Sequence, residues 1–65
     1  MNRDAIAQKL INLRGDKLQL EVAKAVGISV SALSMYENGE RIPRDEIKKR
    51  LADYYGTSVE AIFFD

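Results

Sequence analysis

The stretch QLEVAKAVGISVSALSMYENGERIP, residues 19–43, decides the fold, because two short helical patterns meet in it across a single glycine. Val22 and Val26 fall one turn apart. With Leu18 they predict an apolar stripe on a helix over residues 17–26, with Asp16 as candidate cap and Gln19 placed to reach back. Gly27 stops that helix, since glycine enters the left-handed conformation without a Cβ penalty. Ile28 follows as a buried connector. Ser29 can accept from backbone N–H groups at the start of the next helix, predicted over residues 30–38, whose apolar side is Leu33 and Tyr36. Asn38-Gly39 closes it. A small Ala23 at the crossing lets two backbones approach, so residues 17–38 read as helix, tight turn, helix. The other side of the later helix carries Val30, Ser31, Ser34 and Met35, expected to be exposed and mostly uncharged. Such a face can enter the major groove of duplex DNA, where serine hydroxyls meet base edges and Val or Met touches a thymine methyl.

Upstream, Ile6, Leu10 and Leu13 recur at helical spacing over residues 3–14, with Asn2 as N-cap and Gly15 as the stop. Downstream, Pro43 lies just before a helix whose first turn holds Asp45 and Glu46, acids matched to the positive end of the helix dipole. Its stripe is Ile47, Leu51, Tyr54 and Tyr55, and Gly56 ends it. A last short helix starts at the capping-box sequence Thr57-Ser58-Val59-Glu60 and runs to Phe63. No stretch alternates with the period of a half-buried strand. The prediction is an all-α fold of five helices with short connections, one complete domain over residues 1–65.

Composition narrows the function. The 65 residues include no cysteine and no histidine, which removes disulfides, thiolate metal sites and the commonest general base. The serines have no imidazole to activate them and the carboxylates sit on helix starts, so the expectation is no enzyme, no cofactor, no metal and no small-molecule substrate. No apolar run approaches the roughly 18 residues that would span a bilayer, and Met1 is not followed by a basic and then apolar leader. A cytoplasmic chain without membrane contact is expected. The formal net charge of +0 argues against a nucleic-acid partner, but local placement matters more than the sum. The acids gather at helix starts and leave bases elsewhere free to face a partner.

The quoted stretch resembles the Xre/Cro-repressor family, which includes the lambdoid phage repressors. The features that match are Gln19, Ala23, Gly27-Ile28-Ser29, Leu33 and Tyr36-Glu37-Asn38-Gly39 followed by Pro43. The likeness continues through RDEIKKRLADYYGTSVEAIFF, residues 44–64, where the family has its last two helices. It implies a lambda-repressor-like DNA-binding domain whose recognition helix, about residues 30–38, lies in the major groove. By that resemblance Gln19 contacts a phosphate and braces the recognition helix. Val30, Ser31 and Ser34 face bases, Met35 and Asn38 meet base or backbone, Arg41 is a phosphate ligand, and Lys17 and Arg44 are lesser candidates. Arg14 and Glu37 correspond to the family's buried ion pair. Ser29 joins the DNA-facing set, although its cap role is sufficient by itself to explain it.

Two departures stand out. Leu18 occupies a place where the family has a capping Ser or Thr, and Leu20 is apolar where the family is polar. The recognition helix also has no Arg, Lys, Gln or Asn before Asn38, so it lacks bidentate readers of guanine or adenine. Plain structural readings stand beside the functional ones: Val30 and Met35 as ordinary surface, Lys48-Lys49-Arg50 as a solvated face, Tyr54 and Tyr55 as core and core edge. The function expected is a sequence-specific regulator, a repressor, on a double-stranded operator. The alternative is a protein-interaction module of antitoxin or anti-repressor type on the same fold. Phe63-Phe64 close the last helix, and helical geometry cannot turn both into one core. One should be exposed, and the pair is expected to form the contact of a homodimer on an inverted repeat.

Overall fold

Five helices follow one another in the computed structural model, which describes residues 2–64: α1 (Arg3–Arg14), α2 (Gln19–Val26), α3 (Val30–Glu37), α4 (Asp45–Tyr55) and α5 (Val59–Phe63). No strand occurs among the described residues. The ends of the expected domain, Met1 and Asp65, lie outside them.

Each helix drives one side chain fully into the interior: Leu10, Val22, Leu33, Leu51 and Ile62. These meet in a single cluster with Ile6, Ala23, Val26, Tyr36, Ile47, Ala52 and Phe63. Burying one such leucine or isoleucine stabilises the fold by about 1.5–3 kcal/mol, so the five shared anchors hold the helices as one unit. α1 packs on α3 and α5, α2 on α3 and α4, and α4 on α5. No described helix is long and apolar enough to cross a membrane.

Caps set where the helices begin. Asn2 Oδ1 accepts from the Asp4 and Ala5 amides at 3.0 and 3.1 Å, as expected. Ser29 Oγ accepts from the Ala32 amide at 3.0 Å, which starts α3 at Val30. The sequence reading is corrected at α2, which begins at Gln19 and not at Lys17. Leu18 is its N-cap and contributes no side-chain hydrogen bond, and Asp16 does not cap it. Because the Leu18 backbone is extended (φ −71°, ψ 146°), its side chain leaves the chain ahead of the first turn; it is 70% exposed and does not join the buried stripe of Val22, Ala23 and Val26. At α5 the cap is Ser58, whose Oγ accepts from the Ala61 amide at 3.0 Å. Thr57 is outside the box because its own amide closes the end of α4 on the Ala52 carbonyl at 3.0 Å. Leu13 is half-exposed, and α1 buries Ile6, Ala7 and Leu10 instead.

The turn between α2 and α3 depends on Gly27, which sits at φ 83°, ψ 37°. In that conformation its N–H and the N–H of Ile28 both reach the Ala23 carbonyl, at 2.9 and 3.0 Å. The chain thereby reverses within two residues and lays α3 across α2.

Candidate nucleic-acid interface

α3 is oriented by what it buries. Leu33, Tyr36 and Glu37 point inward, so the opposite arc is centred on Ser31 and Asn38, both exposed. Val30 stands at its edge, 38% exposed. Ser34 and Met35, expected to be exposed, are half-buried. The turn after α3 folds back over its last residues: the Glu40 amide donates to the Met35 carbonyl at 3.0 Å, and the Asn38 side-chain amide donates to Ser34 Oγ at 3.4 Å and to the Glu40 carboxylate at 3.3 Å.

The end of α3 is fixed by a buried carboxylate. Glu37 accepts from Arg14 Nε at 2.8 Å through one oxygen and from Gln19 Nε2 at 2.9 Å through the other. Arg14 Nη1 also donates to the Lys17 carbonyl at 2.7 Å. One side chain on α3 is thus tied to the end of α1 and the start of α2. The Glu37 side chain is 2% exposed and that of Arg14 21%. The hydrogen bond to Glu37 holds the Arg14 guanidinium pKa above the ordinary arginine value, against the opposing effect of burial. Near this network the Tyr55 hydroxyl is shut off from solvent, with no hydrogen-bond partner among the described residues. Burial, and after it the charge of Glu37, push its pKa up to about 12.

The bases expected at the rim are present. Lys17, Arg41 and Arg44 are exposed, and none of them forms an ion pair among the described residues. Arg44 is the N-cap of α4 and makes no capping bond. Gln19 is half-buried with its amide nitrogen committed to Glu37, so the bracing part of its expected role is visible in the geometry. Phe64 is 48% exposed, whereas Phe63 lies in the core of its own chain at 3%, so of the two only Phe64 has surface to offer a partner.

Sequence reasoning missed Lys48. Expected on a solvated face, it is 7% exposed, with its ammonium 5.7 Å from the Phe63 ring centre, 5.2 Å from that of Phe64 and 3.6 Å from Asp45 Oδ1. The signal was there in the spacing: Lys48 lies between Ile47 and the inward pair Leu51-Ala52, on the flank of the α4 stripe. Its long stem packs while its head finds aromatic faces and a carboxylate.

A family model described as Helix-turn-helix matches residues 6–62, from the second turn of α1 to the core of α5. Comparison with curated proteins and with solved structures gives no match.

Proposed function

Since the chain belongs to the Xre and lambda-repressor-like helix-turn-helix family, a family of DNA-binding regulatory domains, we propose that it binds duplex DNA sequence-specifically through α3 in the major groove and acts as a repressor of transcription. The observation that carries this is the pinning of α3. Glu37 is held from two helices, so the arc of Ser31 and Asn38 is offered to a partner on a rigid element with little ordering left to do. Ser31 and Asn38 supply hydroxyl and amide groups for base edges, Val30 an apolar contact, and Lys17, Arg41 and Arg44 charge for phosphates on either side. Without a bidentate reader before Asn38, sequence preference rests on methyl contacts, ordered water and duplex shape. A homodimer joined through Phe64 would set two such helices on an inverted repeat, roughly 34–36 Å apart.

The test is a duplex selected from a random pool and titrated against the parent and Ser31→Glu. Ser31 is exposed and outside the core, so the variant keeps its helical circular dichroism. A carboxylate set against the phosphate groove should weaken binding at least about tenfold. Equal binding by the folded variant refutes the assigned face. Failure of any sequence to enrich favours the alternative, an interaction module of antitoxin or anti-repressor type. That alternative draws on Leu18 and Leu20, 70% and 53% exposed at the start of α2, where a phosphate-facing surface gains nothing from apolar side chains.

A further inference from the structure

A cleft of about 560 Å³ opens between the α2–α3 turn and α4. Its rim includes Gly27 and Ser29 on one side and Arg41, Arg44, Glu46 and Arg50 on the other, three guanidinium groups against one carboxylate. We propose that this cleft is a phosphodiester site and that Arg50, in the middle of α4, is one of its ligands. The proposal rests on the duplex-binding role of α3 and extends the footprint beyond the rim bases.

Three observations lead there. Arg41 and Arg44 have no ion-pair partner among the described residues, so their charge is available to an incoming anion. Among the described residues Arg50 pairs only with Glu46, at 3.4 Å, and that pair is 47% and 61% exposed. Such a solvated one-turn pair is worth little and is readily exchanged for a phosphate, which a guanidinium grips through two parallel N–H donors. Arg50 is also turned toward the turn between the helices: its Nη1 stands 3.4 Å from where a Cβ on Gly27 would lie. That places the guanidinium at the threshold of α3. Ala32, which lines the same cleft, lies about a quarter turn round α3 from Ser31, and Ser29 caps the start of that helix, so the opening borders the flank and N-terminal end of the recognition helix. At about 560 Å³ the cleft is large enough for a phosphate together with its sugars.

Arg50→Gln, Arg50→Lys and Glu46→Gln, each checked for parental circular dichroism, are titrated with the selected duplex between 50 and 200 mM salt. Losing one phosphate contact reduces the slope of log K against log salt by about 0.9, or about 1.8 for two chains on one operator, so Arg50→Gln should lose roughly threefold more affinity at the low-salt end than at the high-salt end if one chain binds and roughly twelvefold more if two do. Arg50→Lys should restore the slope, and Glu46→Gln should tighten binding by freeing Arg50. Inorganic phosphate without DNA, followed through the arginine Nε–H resonances, forms the separate arm. If the parent binds the duplex but Arg50→Gln keeps its slope, the cleft site is wrong and the role of α3 stands. Should inorganic phosphate fill the cleft while the duplex slope ignores Arg50, the site serves a free anion and the proposal falls. A parent that binds no duplex overturns both the strand site and the function it rests on.

Discussion

Replacing Arg14 with methionine keeps a long apolar stem but withdraws the guanidinium from Glu37, whose side chain is 2% exposed. The carboxylate then retains only the Gln19 amide at 2.9 Å. Losing a charge-assisted bond of 2.8 Å costs about 1.5–3 kcal/mol, and losing the 2.7 Å bond from Nη1 to the Lys17 carbonyl about 0.5–1.5 more. The sum, about 2–4.5 kcal/mol, is centred below the 3–5 of a fully buried broken pair because Arg14 itself is a fifth exposed. A 65-residue domain has only about 3–10 kcal/mol in total, and each kcal/mol moves the midpoint by about 4–8 °C. The variant should therefore melt at least about 8 °C, and up to about 36 °C, below the parent. Urea unfolding followed by circular dichroism measures the loss. The second arm is Arg14→Met with Glu37→Leu, which removes the stranded charge and should regain a large part of it. A single-variant loss below about 1 kcal/mol, or a double variant as unstable as the two singles added, refutes the buried-brace account.

Leu18→Thr gives α2 the side-chain cap it lacks and should raise stability by about 0.5–1 kcal/mol, seen as a higher urea midpoint; an unchanged midpoint means another group already satisfies those amides. The Tyr55 pKa, raised from 10.0 to about 12, contributes nothing below pH 10, where folded and unfolded phenols are both neutral. Between about pH 10 and 12 the unfolded phenol ionises first, so stability falls by about 1–2 kcal/mol once screening around the half-exposed ring is allowed for. Tyr55→Phe, which removes a buried hydroxyl unpartnered among the described residues, should be at least as stable as the parent at pH 7 and show a smaller alkaline fall; an identical fall rejects Tyr55 as its source. Sedimentation of the parent and Phe64→Ser, with and without the selected duplex, should show a dimer weakened by the substitution. A parent that stays monomeric on DNA, or a variant that pairs unchanged, removes the Phe64 contact.

The helices were legible because each has both a period and punctuation. Leu10, Leu33 and Leu51 mark buried stripes, and Gly15, Gly27 and Gly56 follow the helices they end. Boundaries failed where two residues could each serve as a cap. Asp16 and Thr57 have the right chemistry, but the backbone reaches helical angles only after Leu18 and Ser58, and a pattern of residue types carries no dihedral angles. The brace at Glu37 came from family likeness together with the residues. Gln19 was expected to brace the recognition helix, but that it does so on the same carboxylate needed the crossing of α2 and α3. Lys48 could have been placed from its spacing beside Ile47 and Leu51-Ala52, but a run of three bases reads first as a solvated face, whereas the Arg50 cleft depends on which neighbour that flank of α4 faces, which spacing does not give.

The net charge of +0 looks different once its members are placed. On α4, Asp45, Glu46 and Asp53 each hold a base of the same helix, at 3.4–3.6 Å, and Glu37 is sealed against Arg14. Glu37 is buried, whereas the three α4 acids are solvated and each is offset by a base of its own helix; of these, Glu46 shares the cleft rim with Arg41 and Arg44, which remain exposed beside the end of α3. At the start of α2 the balance differs, since exposed Asp16 and Glu21 flank Lys17. The cationic side is therefore the loop and cleft after α3, and the α2 end is close to neutral. If Arg41, Arg44 and Arg50 each neutralise one phosphate, one chain supplies a salt slope of only about −2.7, against about −5 to −9 for six to ten contacts. Two chains on one operator would double it to about −5. The proposed homodimer through the exposed Phe64 would let a chain of zero net charge reach the salt slope of about six phosphate contacts.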